Sequence, residues 1–185
     1  MERLISELGL AVRWIGFPLN PAVPAKGQSI EDYLAGRDVD IPAMLAKMKR
    51  VATREGLPFG DRFHVYNSRL AQELGKWAEA CGRGDAFHHL AFRAYFADGR
   101  NIAQPDVLVD LARAAGLSPK EAEVVIAERR FAAAVDEDWQ RAREKNITAV
   151  PTFLANGRRL VGAQPYHKLR DLVTGEASNS GGTIL

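Results

Sequence analysis

The feature that most constrains the fold is a long helical block, residues 29–135, which separates two segments of β-type sequence. Within the block, apolar residues recur at spacings of three and four, which places them on one face of a helix. Helix-start signals divide the block. Examples are Asp40 with Pro42 in the first turn, and Ser118 with Glu121 three residues later. This pattern predicts several packed helices inserted between short strands.

The flanking segments predict strands and a hairpin. The segment before Pro18 is rich in β-branched and aromatic side chains, which favour a strand. After the helical block, two β-type runs are joined by Asn156-Gly157, a pair typical of a type I′ hairpin turn. The predicted elements in chain order are a helix, a strand, the helical block, a hairpin and a final helix, at residues 2–8, 11–17, 29–135, 150–162 and 166–173. The sequence therefore predicts an α/β protein.

Composition argues against two classes of partner. The chain has 25 Lys and Arg against 23 Asp and Glu, a net charge of +2 at pH 7. Nucleic-acid binding usually needs a basic stripe, and acidic residues lie beside most basic groups here, so no nucleic-acid partner is expected. No apolar run approaches the roughly 18 residues of a bilayer span, so no membrane partner is expected. The N-terminal segment lacks the small-residue cleavage site of a signal peptide, which favours a cytoplasmic protein.

Cys81 is the single cysteine of the chain. One thiol cannot form an internal disulfide or a metal cluster, which agrees with a reducing compartment. Cys81 falls in register with Leu74 and Trp77 on a predicted helix face, so the sequence predicts a buried or half-buried structural cysteine. His88-His89 does not predict a metal site, because adjacent helical residues point about 100° apart. No catalytic residue and no metal ligand is therefore expected.

Six stretches carry a resemblance to a known family. They are RWIGFPLNP (13–21), NSRLA (67–71), FRAYF (92–96), GRNI (99–102), ITAVPTF (147–153) and VGAQP (161–165). In this order and spacing they resemble the DsbA-like family of thioredoxin-fold proteins, specifically its cytoplasmic FrnE-like branch. The sister branch of 2-hydroxychromene-2-carboxylate isomerases and kappa-class glutathione transferases is similar to it in plan.

The resemblance implies a thioredoxin-like α/β fold with a large all-helical insertion. The implied parts are a partial thioredoxin-like domain, the helical insertion domain and a flexible tail, at residues 1–28 with 136–175, 29–135 and 176–185. In the family, a first strand and a C-x-x-C motif at the start of the next helix precede the segment matching residues 11–17. A helix N-terminus favours the reactive thiolate there. We therefore expect this sequence to be N-terminally truncated and to lack both features.

The implied activity is thiol–disulfide exchange, and without the dithiol this chain is expected to be inactive by itself. Two alternatives stay open, a glutathione-dependent isomerase or transferase and a non-catalytic peptide-binding module. The resemblance implies an extended peptide or a small thiol or disulfide as substrate, bound by Val150, Pro151, Asn67 and Phe17, with the Val150–Pro151 bond cis. Gln72 stands where the family usually has a histidine. No cofactor is expected, apart from glutathione under the first alternative.

The resemblance also predicts association. The family's first strand would lie centrally, between the strand at residues 11–17 and the strand after Pro151. Without it, two inner edges would expose N–H and C=O groups, each costing about 1–3 kcal/mol if buried without a partner. We therefore expect either direct closure of the two strands or an added strand, from a partner chain or from residues 182–185. A homo-oligomer is the expected state.

Overall fold

The structure, a computed structural model, describes residues 2–61 and 63–175. The predicted tail at 176–185 lies outside the described residues. The described elements in chain order are α1 (Glu2–Leu8), β1 (Gln28–Ser29), α2 (Ile30–Leu34), α3 (Ile41–Arg54), β2 (His64–Val65), α4 (Arg69–Ala80), α5 (Gly84–Phe96), α6 (Pro105–Ala114), α7 (Pro119–Ala127), α8 (Ala132–Glu144), β3 (Thr152–Ala155), β4 (Arg158–Val161) and α9 (Tyr166–Thr174). None of the described helices combines the length and apolarity needed to span a membrane.

The chain divides into two compact units. The helical unit is Pro18–Glu137, and the terminal unit combines Met1–Phe17 with Asp138–Leu185. The domain boundaries expected at residues 28/29 and 135/136 stay a prediction. In the helical unit, the side chains of Asn101 and Gln104 both donate to the Ala25 carbonyl at 2.9 Å. These bonds tie the loop before β1 to the helices.

Four helices of the helical unit, α4 to α7, surround one apolar core. Its most deeply buried side chains are Leu74, Ala78, Phe87, Ala94, Leu108, Ala112 and Ala122. The helix starts follow the predicted capping residues. The Asp40 carboxylate accepts a hydrogen bond from the Ala43 N–H at 2.8 Å, and the Ser118 hydroxyl accepts one from the Glu121 N–H at 3.3 Å. The predicted helical nature of this block is confirmed.

A short two-stranded ladder interrupts the block. Strands β1 and β2 pair antiparallel, with Gln28 opposite Val65 and Ser29 opposite His64. The residues around it form a second small core of Val23, Ile30 and Val65. The sequence did not predict this ladder, because strands of two residues are too short to show an alternating apolar pattern.

The terminal unit contains the predicted hairpin. Strands β3 and β4 pair from Thr152 opposite Val161 to Ala155 opposite Arg158. Asn156 and Gly157 have φ of 51° and 71°, the two positive values that a type I′ turn requires. The predicted hairpin is therefore confirmed.

The strand predicted at residues 11–17 is wrong, because the structure assigns no regular secondary structure to this segment. A strand forms only against a partner, and within the described residues β3 pairs with β4 alone. The direct closure of residues 11–17 onto β3, one of the repairs expected above, is absent from the described part of the terminal unit. The β-forming side chains at 11–15 remain exposed instead.

Candidate substrate-binding site

The loop between α8 and β3 is held at its start. Asn146 has a φ of 49°, a left-handed conformation that ends the helix after Glu144. The Arg159 guanidinium of β4 donates to the Asn146 carbonyl at 3.2 Å and also to the Lys145 carbonyl. A β4 side chain therefore satisfies carbonyls that the helix end leaves without partners.

The loop then passes through Val150–Pro151, where the structure has the peptide bond cis. On either side, the Thr152 hydroxyl donates to the Ala149 carbonyl at 2.6 Å, and the Gly162 N–H donates to the Pro151 carbonyl at 2.8 Å. Val150 itself is 43% exposed. Its N–H and C=O have no hydrogen-bonding partner among the described residues. The corner therefore presents accessible backbone groups.

The accessible backbone continues along one edge of β3. In an antiparallel pair, alternate residues direct both their N–H and C=O toward the partner strand. The Pro151 carbonyl bonds to the Gly162 N–H and therefore points toward the partner strand. Thr152 and Leu154 lie at the alternate positions, so their N–H and C=O groups point away from β4. Leu154 is 52% exposed. Within the described part of the chain, this edge pairs with no strand.

Phe17, the third predicted site residue in the terminal unit, is half-buried and follows a fixed glycine. The Gly16 N–H donates to the Asp138 carboxylate at 2.7 Å. Asp138 is 3% exposed, so its charge needs such donors. The bond fixes the backbone beside Phe17.

Sequence reasoning missed this role of Asp138. An acidic triplet such as residues 136–138 is typical of the start of a helix, but α8 begins at Ala132. Asp138 lies three residues after Val135 and four before Ala142, both buried, so it shares their inward face. A carboxylate at a core position of the apolar pattern was the signal that could have revealed it.

Asn67 belongs to the helical unit. Its Nδ2 donates to the carbonyls of Pro21 at 3.2 Å and Val23 at 2.9 Å, and its Oδ1 accepts from the Arg69 N–H at 2.9 Å. These bonds hold the loop before β1 to the start of α4. The assignment of Asn67 as a substrate-binding residue stays a prediction. Gln72, at the position of the family's histidine, donates to the Ser68 hydroxyl at 2.9 Å.

A buried carboxylate, that of Glu73, lies in α4. Glu73 is 2% exposed and accepts two hydrogen bonds from Arg129, at 2.7 and 2.6 Å, and one from Arg69 at 2.6 Å. Burial by itself raises the pKa of Glu73, but the hydrogen bonds from Arg129 and Arg69 outweigh it, so the pKa lies below its ordinary value. Arg69 also donates to Asp136 at 2.7 Å. The cluster joins α4 to the α7–α8 connection.

The prediction that Cys81 is buried or half-buried is wrong. Cys81 is exposed at the C-terminal cap of α4. The helix ends at Ala80 and the chain turns at Gly82, whose φ is 69°, so position 81 no longer follows the apolar face. No cluster of three or more potential metal ligands occurs among the described residues. His88 instead lies 3.1 Å from the Glu79 carboxylate, measured from Nε2 to Oε1.

Two curated relatives share part of this sequence. The uncharacterized protein YwbO of Bacillus subtilis is 30% identical over 101 residues, which are 54% of this chain and 50% of YwbO. The ClpXP adapter protein SpxH of Halalkalibacterium halodurans is 30% identical over 79 residues, which are 39% of this chain and 26% of SpxH. The matched region thus spans half or less of these relatives.

The fold and the family follow from two further comparisons. The crystal structure of a probable DsbA oxidoreductase from Streptomyces coelicolor matches this structure with a TM-score of 0.85 and 24% sequence identity. The match covers 100% of this chain and 84% of the Streptomyces chain. This likeness confirms the predicted thioredoxin-like DsbA fold with its helical insertion. The family model of the DSBA-like thioredoxin domain matches residues 1–174. The chain therefore belongs to the DSBA-like thioredoxin domain family.

Proposed function

We propose that this protein takes part in thiol–disulfide exchange in the cytoplasm, as a member of the FrnE-like branch, and that these 185 residues bind the substrate polypeptide. Family membership supports the reaction class. The single cysteine supports a binding role, because a dithiol needs two thiols. The observation that carries the proposal is the exposed Val150 corner, whose N–H and C=O have no partner among the described residues.

The proposed mode of binding is the addition of an extended peptide. Main-chain hydrogen bonds give such complexes their affinity, and they make little demand on the peptide's sequence. Val150 supplies one donor and one acceptor, and Thr152 and Leu154 continue the same open edge. An enzyme that acts on cysteines in many polypeptides benefits from recognition of this kind, since the backbone is common to all of them. Phe17 is proposed to contact the substrate as an apolar surface.

The mode of binding is tested by N-methylating the ligand. We expect an extended peptide with a blocked cysteine thiol to shift the Val150 amide resonance. Its analogue, methylated at the central backbone N–H, is expected to bind about tenfold more weakly. Val150→Thr keeps the backbone groups and should leave Kd within about twofold. Equal Kd values for the two peptides, or loss of binding in Val150→Thr alone, would show that side chains carry recognition.

The chemistry is tested by turnover of a disulfide substrate. Exposed Cys81 can form a mixed disulfide, but no second thiol of this chain can resolve it. We expect the chain and its Cys81→Ser variant to give the same background rate of reduction of a fluorogenic disulfide peptide by added thiol. Catalysis above background that Cys81→Ser abolishes would contradict the proposal.

We further propose that, when no substrate peptide occupies it, the open edge of β3 takes up a strand from a second copy, which makes the protein a homo-oligomer. The support is the row of outward backbone groups at Thr152 and Leu154, since exposed edges promote association. Light scattering of the chain alone, and then with saturating peptide, tests this directly. A monomer in the absence of peptide would contradict it.

A further inference from the structure

A cleft of about 490 Å³ lies in the helical unit, and its lining includes neither Asn67 nor the residues that bond to Asn67. It is formed where the loop before β1 meets the β1–β2 ladder and the first turn of α2. Its lining residues include Lys26, Gln28, Ser29, Asp32 and His64. Three of them are ionisable, and all five carry hydrogen-bonding groups.

The cleft is built on fixed backbone. Gly27 is buried with a φ of 86°, and a Cβ there would lie 2.5 Å from the Tyr66 ring, so only glycine fits this position. His64 stacks on the same ring, with centroids 5.9 Å apart and an interplanar angle of 2°. Tyr66 therefore supports both the backbone of the cleft and the orientation of the His64 imidazole.

The ladder and the helix start bring opposite charges to this cleft. Ser29 pairs directly with His64, so their side chains lie on the same face of the ladder. The Ser29 hydroxyl accepts a hydrogen bond from the Asp32 N–H at 3.0 Å, which places Asp32 in the first turn of α2 beside them. Lys26 lines the cleft on the preceding loop. Within the described residues, the side chains of Lys26, Asp32 and His64 have no ion pair or hydrogen bond.

We propose that this cleft binds a small zwitterion, a ligand of amino-acid type that carries one carboxylate and one ammonium group. Lys26 attracts the carboxylate, with His64 as a further donor, and the Asp32 carboxylate accepts hydrogen bonds from the ammonium group. A simple anion fits less well, because it would face the Asp32 carboxylate, and a simple cation would face Lys26. Ligand sites are concave and hold a small number of convergent polar groups, and this cleft brings side chains of both charge signs together.

The proposal is tested by titrating the full chain with four small probes and following the amide resonances of residues 27–29. Glycine and glycylglycine carry both charges, N-acetylglycine only the negative one and glycinamide only the positive one. We expect at least one of the two zwitterions to bind about fivefold more tightly than either singly charged probe. The preferred zwitterion then distinguishes a free amino acid from a short peptide.

Variants of exposed residues identify the groups responsible. Lys26→Gln and Asp32→Asn are each expected to raise the Kd of the preferred zwitterion about fivefold. Lys120→Gln and Asp106→Asn change exposed residues elsewhere and should leave it unchanged. Spectra outside the cleft report that each variant folds normally. The proposal is overturned if no probe shifts the cleft amides, if N-acetylglycine binds as tightly as the zwitterions, or if the control variants weaken binding equally.

Discussion

Glu73→Ala is expected to lower the free energy of unfolding by about 3 kcal/mol, measured by denaturant titration. The substitution removes the common acceptor of Arg69 and Arg129 and leaves Arg69, whose side chain is 18% exposed, without its buried partner. Removing one member of a buried pair typically costs about 3–5 kcal/mol, and the value belongs at the low end because Arg129 is 52% exposed. Glu123→Ala is the matched control, since Glu123 is an exposed helical glutamate.

The same cluster gives stability a pH dependence of known sign. The pKa of Glu73 is lower in the folded chain than in the unfolded chain, since its hydrogen bonds to the two arginines outweigh its burial. Its stabilisation is therefore fully present above the unfolded pKa and is lost as the pH falls through the folded one. The gap in unfolding free energy between the native chain and Glu73→Gln should shrink below about pH 4. A loss for Glu73→Ala no larger than for Glu123→Ala, or a gap independent of pH, would contradict this account.

Phe87→Ala is expected to lower the free energy of unfolding by about 4 kcal/mol. Phe87 is 0% exposed in α5 and is among the largest fully buried side chains. Its removal loses the transfer free energy of an aromatic ring and leaves a cavity between packed helices that relax only in part. The denaturant midpoint should fall, while the slope of unfolding free energy against denaturant should stay the same, because the surface exposed on unfolding hardly changes.

Phe92→Ala provides a control from the same helix. Phe92 is 53% exposed and stacks on Phe96 with ring centroids 6.2 Å apart. Its removal loses one aromatic pair and little burial, so the expected cost is below about 1.5 kcal/mol. Similar losses for the two variants would mean that α5 does not direct Phe87 into the core as described.

Elements set by local chemistry were predictable from the sequence. The helix starts at Asp40 and Ser118 need only a capping side chain and the next turn, and both are present. The hairpin needs only residues that tolerate positive φ, which Asn156 and Gly157 supply. Within the candidate site, Val150 could be named because it lies in ITAVPTF, one of the stretches that carry the family resemblance, and its role in binding stays a prediction.

Features that depend on distant partners were less predictable. A β-forming composition at residues 11–17 does not make a strand without a neighbouring strand. The ladder of Ser29 with His64 joins residues far apart in sequence through a contact too short to leave a pattern. The bond from Gly16 to Asp138 spans 122 positions, so a sequence can suggest that Asp138 is buried but cannot name its donor. The exposure of Cys81 depended on where α4 ends.

Side chains at the hairpin turn donate hydrogen bonds to the last carbonyls of α9. These bonds bear on where the protein can be cut, tagged or extended. Exposed turns with glycine are the usual places to insert a label or to open a chain for circular permutation. Here the Asn156 side chain donates to the Val173 carbonyl at 2.7 Å, and Arg158 beside it donates to the Leu172 carbonyl at 3.0 Å. An insertion between Asn156 and Gly157 would pull both donors from the end of the helix. A fluorophore or an affinity tag attached at Lys47, an exposed residue of α3, would leave these bonds in place.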